Sequence, residues 1–84
     1  GGAGVVVGTE GWEGFSQATP KSLVGVKVKD SKITEKTGCS IVAIKGDEGT
    51  VITPSPDNQF SEDGEIILIG DEAAEKSFEA KFCT

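Results

Sequence analysis

The sequence predicts an α+β fold: a mainly antiparallel four-stranded sheet in the order β-α-β-β-β-α, with two helices on one face, that dimerises. Three observations carry this reading. Cys39-Ser40-Ile41-Val42-Ala43-Ile44 and Glu65-Ile66-Ile67-Leu68-Ile69-Gly70 are short apolar runs bounded by turn residues, as buried strands are. Gly46-Asp47-Glu48-Gly49 separates the first run from Thr50-Val51-Ile52-Thr53 and is rich in residues that tolerate positive φ, as hairpin turns require. Ala74, Phe78 and Phe82 recur every four residues, which gives the last segment one apolar helical face.

Residues 1–14 hold half of the 12 glycines. Gly2, Gly4 and Gly8 superficially suggest a dinucleotide loop, but that motif needs a preceding strand and a following helix. The segment reads as a flexible Gly-rich linker or a cloning remnant, because Gly-rich chain is entropically expensive to order. Val5-Val6-Val7 could still add an edge strand to a neighbour. Trp12 and Phe15 are the first anchors, and a short strand runs from them toward Thr19. The domain proper is placed at 15–84.

Pro20 prevents a helix from starting before Lys21. From Lys21 to Gly38 the segment is a weak helix by propensity, with Leu23, Val24, Val28 and Ile33 facing inward and a turn at Asp30-Ser31. Gly38 suits a left-handed C-cap, with Lys36 well placed in the last turn. The returning hairpin strand ends at Pro54-Ser55-Pro56, since proline cannot donate to a sheet ladder. The loop from Asp57 to Gly64 carries one phenyl ring, Phe60, which is expected to fold inward against Phe78 or Phe82. Asp71 caps the final helix, and Glu72 and Glu75 suit the positive end of its dipole.

A half-exposed strand alternates apolar and polar residues, yet Ile66 to Ile69 and Ile41 to Ile44 are continuously apolar. Such strands are covered on both faces. Two short helices cover one face, so the other is expected to meet a second copy or a neighbouring domain.

Composition narrows the function. The 84 residues leave room for one core. With no His, the commonest general base and zinc ligand are missing. All 8 basic residues are Lys, so bidentate forks to phosphate or guanine are excluded. A net charge of −6 argues against nucleic acid and anionic membrane as partners. No apolar run is long enough for a transmembrane helix, and no signal peptide is legible. Cys39 and Cys83 lack zinc spacing and are too few for a disulfide framework, so a reduced chain with Cys39 as a small buried apolar residue is expected. The chain contains 0 Met and is expected to be a piece of a longer protein. Without His beside a Ser or Cys, nucleophilic catalysis has no adjacent base, and no enzyme is expected.

From Pro20 to Phe82 the chain resembles the RCK C-terminal, or TrkA-C, domain family. The resemblance rests on Leu23-Val24-Gly25, on Thr37-Gly38 before a strand ending Val42-Ala43-Ile44-Lys45, and on Val51-Ile52 before Pro54-Ser55-Pro56-Asp57. It continues through Phe60 ahead of Glu62-Asp63-Gly64-Glu65 to Ile69-Gly70 before the last helix. It implies a cytosolic regulatory domain of a potassium channel or cation transporter that forms homodimers and follows an RCK N-terminal domain. In members that bind cyclic di-AMP, the two central strands and the approach to the Pro-x-Pro turn line a pocket at the dimer interface. Carried over, that pocket is Ile41, Val42, Val51, Ile52, Thr53 and Pro54, with Lys45 where other members place a phosphate-gripping Arg. Lys offers a point charge where Arg offers a fork. Ile41, Val42, Val51 and Ile52 also read simply as core or interface residues. A divalent cation at Asp47-Glu48 or Glu62-Asp63-Glu65 is an alternative, although neither fits a twelve-residue calcium loop. The bland reading of those carboxylates is a solvated acidic face.

Overall fold

The computed structural model describes residues 5–9 and 12–83. Its elements are β1 (Val5–Thr9), β2 (Trp12–Ala18), a 3-10 turn (Lys21–Leu23), α1 (Val28–Ser31), α2 (Ile33–Thr37), β3 (Ser40–Gly46), β4 (Gly49–Ile52), β5 (Glu65–Gly70) and α3 (Glu72–Phe82). The strands form one antiparallel sheet in the order β1-β2-β5-β3-β4. The four expected strands are all present. A fifth, β1, lies in the stretch read as linker and pairs with β2 at the sheet edge. β2 opens at Trp12, ahead of the expected domain start at 15. The remaining residues of the glycine-rich stretch, 1–4, 10 and 11, lie outside the described residues.

Register explains the continuously apolar strands. Phe15 stands opposite Leu68 and Ile41 opposite the same leucine, while Ile44 stands opposite Ile66. Directly opposite residues share a sheet face. Phe15, Ile44, Ile66 and Leu68 are buried in a core with Leu23, Ile33, Phe60, Phe78 and Phe82 from the covering segments. Ile67 and Ile69 point the other way and are only half-buried. β5 is thus apolar on both faces but is covered by its own chain on one.

The expected first helix is split. Lys32 adopts φ 57, a left-handed conformation that separates α1 from α2. Gly38 ends α2 at φ 85, and its N–H donates to the Thr34 carbonyl at 2.9 Å, as the C-cap reading anticipated. Asp71 caps α3 by accepting the Ala74 N–H on Oδ1 at 2.7 Å. Ala74, Phe78 and Phe82 form its buried stripe. Phe78 meets Phe15 edge-on with ring centroids 6.3 Å apart and Phe82 at 5.3 Å. The end of α2 is tied to α3, because Lys81 Nζ donates to the Lys36 carbonyl at 2.7 Å.

Phe60 is buried, at 2% exposure, in the core that contains Phe78 and Phe82. Backbone pairing holds it there. The Phe60 N–H donates to the Val26 carbonyl at 3.1 Å, and the Gly25 N–H donates to the Phe60 carbonyl at 2.9 Å. Further along, Val28 N–H reaches the Asn58 carbonyl at 2.8 Å and Lys29 N–H the Pro56 carbonyl at 3.0 Å. The loop is therefore laid along residues 25–29 rather than stapled by its ring alone. That pairing also sets the proline turn against α1.

Cys39 is buried and Cys83 exposed, and both are free thiols. Burial pushes the Cys39 thiol pKa up, with Asp71 and Glu75 adding to the shift against a hydrogen bond from Thr37 that lowers it. Burial and then Glu79 raise that of Cys83. Thiols react as thiolates. Ellman's reagent at pH 7 is expected to modify Cys83 slowly and Cys39 only after denaturant is added. Equal reaction at both in the native protein would contradict the buried position of Cys39.

Candidate functional site

The seven residues singled out by sequence lie along one corner of the sheet, where β3 and β4 end against the proline turn. Ala43 stands opposite Ile52 and Ile44 opposite Val51, while Lys45 lies between Thr50 on β4 and Glu65 on β5. Ile52 therefore shares the uncovered face with Ala43, and Val51 shares the helix-side face with Ile44. A register shift between Ile41 and Ala43 marks a bulge at Val42. Val42, Val51 and Ile52 are 38%, 41% and 70% exposed. Apolar residues of this size are normally buried, and three neighbouring ones in water mark an unmet surface. Because Val51 and Ile52 expose opposite faces of β4, the surface wraps the strand's edge.

Thr53 follows with φ 47, rare for a β-branched residue. Its N–H donates to the Val42 carbonyl at 2.8 Å, at the bulge, and its hydroxyl to the Ile52 carbonyl at 2.7 Å. Left-handed backbone at such a residue costs about 1–3 kcal/mol and persists where the surroundings impose it. Pro54 then turns the chain, and Asn58 Oδ1 closes the turn by accepting the Ser55 N–H at 2.8 Å.

The structure does not gather the seven residues into one hollow. Lys45 and Val51 line a hollow of about 340 Å³ between the β3–β4 hairpin and residues 58–61, together with Asp47 and Glu48. Ile41 and Pro54 line another, of about 330 Å³, whose opposite wall is the α1–α2 break. Val42, Ile52 and Thr53 line neither. In a single chain the corner is an open apolar surface. Lys45 faces Glu65 across the strands, so a phosphate placed at Lys45 would meet a carboxylate at close range. Among the described residues, no three His, Cys, Asp or Glu side chains come together as a metal site.

Sequence reasoning missed the walls of the second hollow, Lys29, Lys32 and Pro56. Nothing in the residue types announces a left-handed lysine. The only available signal was the expected turn at Asp30-Ser31, one residue early.

The chain is thus a small α+β domain, an antiparallel sheet with its helices on one face and an apolar corner left open. The TrkA-C domain model matches residues 17–82, and the chain belongs to that family. No curated protein sequence matches the chain. Among solved structures, the GsuK RCK domain is 34% identical over 84% of this chain, with a TM-score of 0.76. The chain spans only 16% of that protein's length. The RCK_C domain dimer of S. agalactiae BusR, in complex with c-di-AMP, is 19% identical over 83% of this chain and 95% of its own, with a TM-score of 0.74. The RCK C domain of the potassium transport protein KtrA, also in complex with c-di-AMP, is 21% identical over 96% of this chain and 85% of its own, with a TM-score of 0.73. At those identities BusR and KtrA attest the fold alone. BusR is also described bound to its busA-promotor DNA, where the chain matches 40% of that protein. TrkA-C domains are regulatory domains rather than enzymes, and RCK C domains serve channels and transporters of potassium.

Proposed function

We propose that the chain is a ligand-sensing dimerisation domain that regulates a potassium channel or cation transporter from the cytosolic side of the membrane. In this reading it acts beside an RCK N-terminal domain and the membrane-embedded subunit. The observation that carries it is the exposed apolar corner of Val42, Val51 and Ile52, bounded by a strained Thr53. Two copies meeting there would bury both faces of β4 and enclose Ile41, Val42, Lys45, Val51, Ile52, Thr53 and Pro54 as a shared pocket. A ligand that fits one dimer geometry better than another shifts the population toward it, and the attached gate feels the shift. The net charge of −6 and the absence of Arg favour a small ligand over nucleic acid. No helix among the described residues is long and apolar enough to cross a membrane, so attachment to the membrane would come through the partner.

Sedimentation equilibrium at micromolar concentration tests the assembly. The expected mass is twice the 8.7 kDa of one chain. Ile52→Asp should return a folded monomer, because the side chain is exposed in the single chain and its change costs little there. A monomer at all concentrations, or a dimer indifferent to Ile52→Asp, defeats the proposed interface. Melting with c-di-AMP and with NAD tests the ligand. A ligand at a hundred times its Kd adds about 2.7 kcal/mol. The neighbours supply the probes: BusR and KtrA are described with c-di-AMP, and GsuK as a channel bound to NAD. A dimer that neither stabilises would favour a second reading, a purely structural dimerisation module. The strand register that sets Glu65 opposite Lys45 supports that reading, since a neighbouring carboxylate weakens the corner as a phosphate site.

A further inference from the structure

The end of β2 and the end of α3 enclose a hollow of about 370 Å³ that shares no residue with the corner. Residues 17–22 form one side, and Phe82 with Cys83 the other. We propose that it binds a small monocarboxylate with an apolar body. Two observations converge on it. The first is an unmet polar atom. Thr19 lines the hollow, and its Oγ1 is buried without a hydrogen-bond partner among the described residues. Buried hydroxyls are nearly always bonded, so an orphan marks a place where a water or a ligand completes the bond. A turn about the Cα–Cβ bond, from one staggered position to another, leaves the methyl buried and presents the hydroxyl to the hollow. The second observation is an unspent charge. Lys21 makes no ion pair among the described residues, and no Asp or Glu lines the hollow. Glu79, which acts on the Cys83 thiol, lies outside the lining.

These groups set the ligand class. A single ammonium matches a single negative charge, and a carboxylate offers one oxygen to Lys21 and the other to the Thr19 hydroxyl. Hydrogen bonds to an ionised acceptor are the stronger kind. The negative end of the α3 dipole lies here. Two of its last carbonyls are already occupied, however. Ser22 Oγ donates to the Phe82 carbonyl at 3.2 Å, and the Cys83 N–H to the Glu79 carbonyl at 3.0 Å. Ala18, Pro20 and Phe82 give a hydrocarbon body apolar neighbours. The walls are held by the backbone, because the Thr19 N–H donates to the Gly64 carbonyl at 3.0 Å and the Leu23 N–H to the Pro20 carbonyl at 2.9 Å. The volume falls within the range of small-molecule sites, roughly 300–1,000 Å³. The TrkA-C match runs over residues 17–82, so the hollow is built from the two ends of the domain, and a bound carboxylate would fasten one to the other.

The test is an amide-shift titration of the 84-residue chain with benzoate, with benzyl alcohol as the uncharged probe. Benzoate is expected to move the amides of Thr19, Lys21 and Cys83 saturably, with benzyl alcohol about tenfold weaker or more. Thr19→Val keeps the shape and removes the hydroxyl. It should weaken benzoate by a similar factor and leave the melting temperature unchanged or higher, since the hydroxyl has no partner to lose. Lys21→Ala should also weaken benzoate with melting unchanged, since Lys21 is exposed. Ile52→Asp should leave benzoate binding intact, which separates this site from the dimer corner. The proposal is overturned by no saturable shift at millimolar benzoate, which would leave Thr19 to water alone. Equal binding of benzyl alcohol, shifts confined to Gly49–Thr53, or binding indifferent to Thr19→Val and Lys21→Ala would overturn it as well.

Discussion

Phe60→Ala is expected to destabilise the chain by about 3–5 kcal/mol, the range for removing a buried phenyl ring. For a domain of this size the lower figure lowers Tm by roughly 12–24 °C. Phe60 is 2% exposed and shares the core with Phe78 and Phe82, so its removal leaves a cavity that the strands cannot collapse to fill. The backbone bonds to Gly25 and Val26 flank the ring, and they would remain to resist collapse. Thermal and urea unfolding measure the loss. A change below about 1 kcal/mol would mean that the ring is not in the core, since surface substitutions fall in that range. Because the same loop carries Pro56 and Asn58 against α1, the variant should also loosen the hollow beside Lys32.

Gly64→Ala is expected to destabilise by about 1–3 kcal/mol or more, as overpacking a tight contact does. A Cβ at Gly64 would overlap the Lys45 carbonyl, which is backbone within β3 and cannot rotate aside. The Gly64 carbonyl also accepts the Thr19 N–H at 3.0 Å, which ties the loop to the end of β2, so a local shift would break a second contact. Gly46→Ala provides the comparison. There the added carbon meets the Ser61 side chain first, and a hydroxyl can swing away. Urea unfolding should therefore rank Gly64→Ala as the more damaging of the two. The reverse order would show that the loop does not cross β3 as closely as described.

Much of this fold was legible from residue types because local rules and tertiary demands agree. Asp71, Gly38 and the spacing of Ala74, Phe78 and Phe82 each do locally what the packed structure needs, and each appears where expected. The hairpin at Gly46–Gly49 follows from turn chemistry alone. The family, too, could be read from the order of short motifs between Pro20 and Phe82.

Other features depend on contacts distant in sequence. β1 forms because β2 offers an edge to pair with, an advantage that the glycine-rich composition of residues 1–14 conceals. The break at Lys32 has no local signature, since lysine is an ordinary helix former. Likewise, Thr53 turns left-handed where β4 meets the bulge at Val42. The candidate pocket shows the same division. The family resemblance, not residue types, singled out Ile41, Val42, Lys45, Val51, Ile52, Thr53 and Pro54 together. Register decided which of them face the helices and which face solvent, because a strand alternates its faces residue by residue and a bulge shifts that alternation. The sequence by itself determined four of the strands, the last helix and the family of this protein. Only the tertiary structure decided that the corner stays open in a single chain, and that a lysine-walled hollow lies behind it, because both depend on strand pairing and loop docking across the chain.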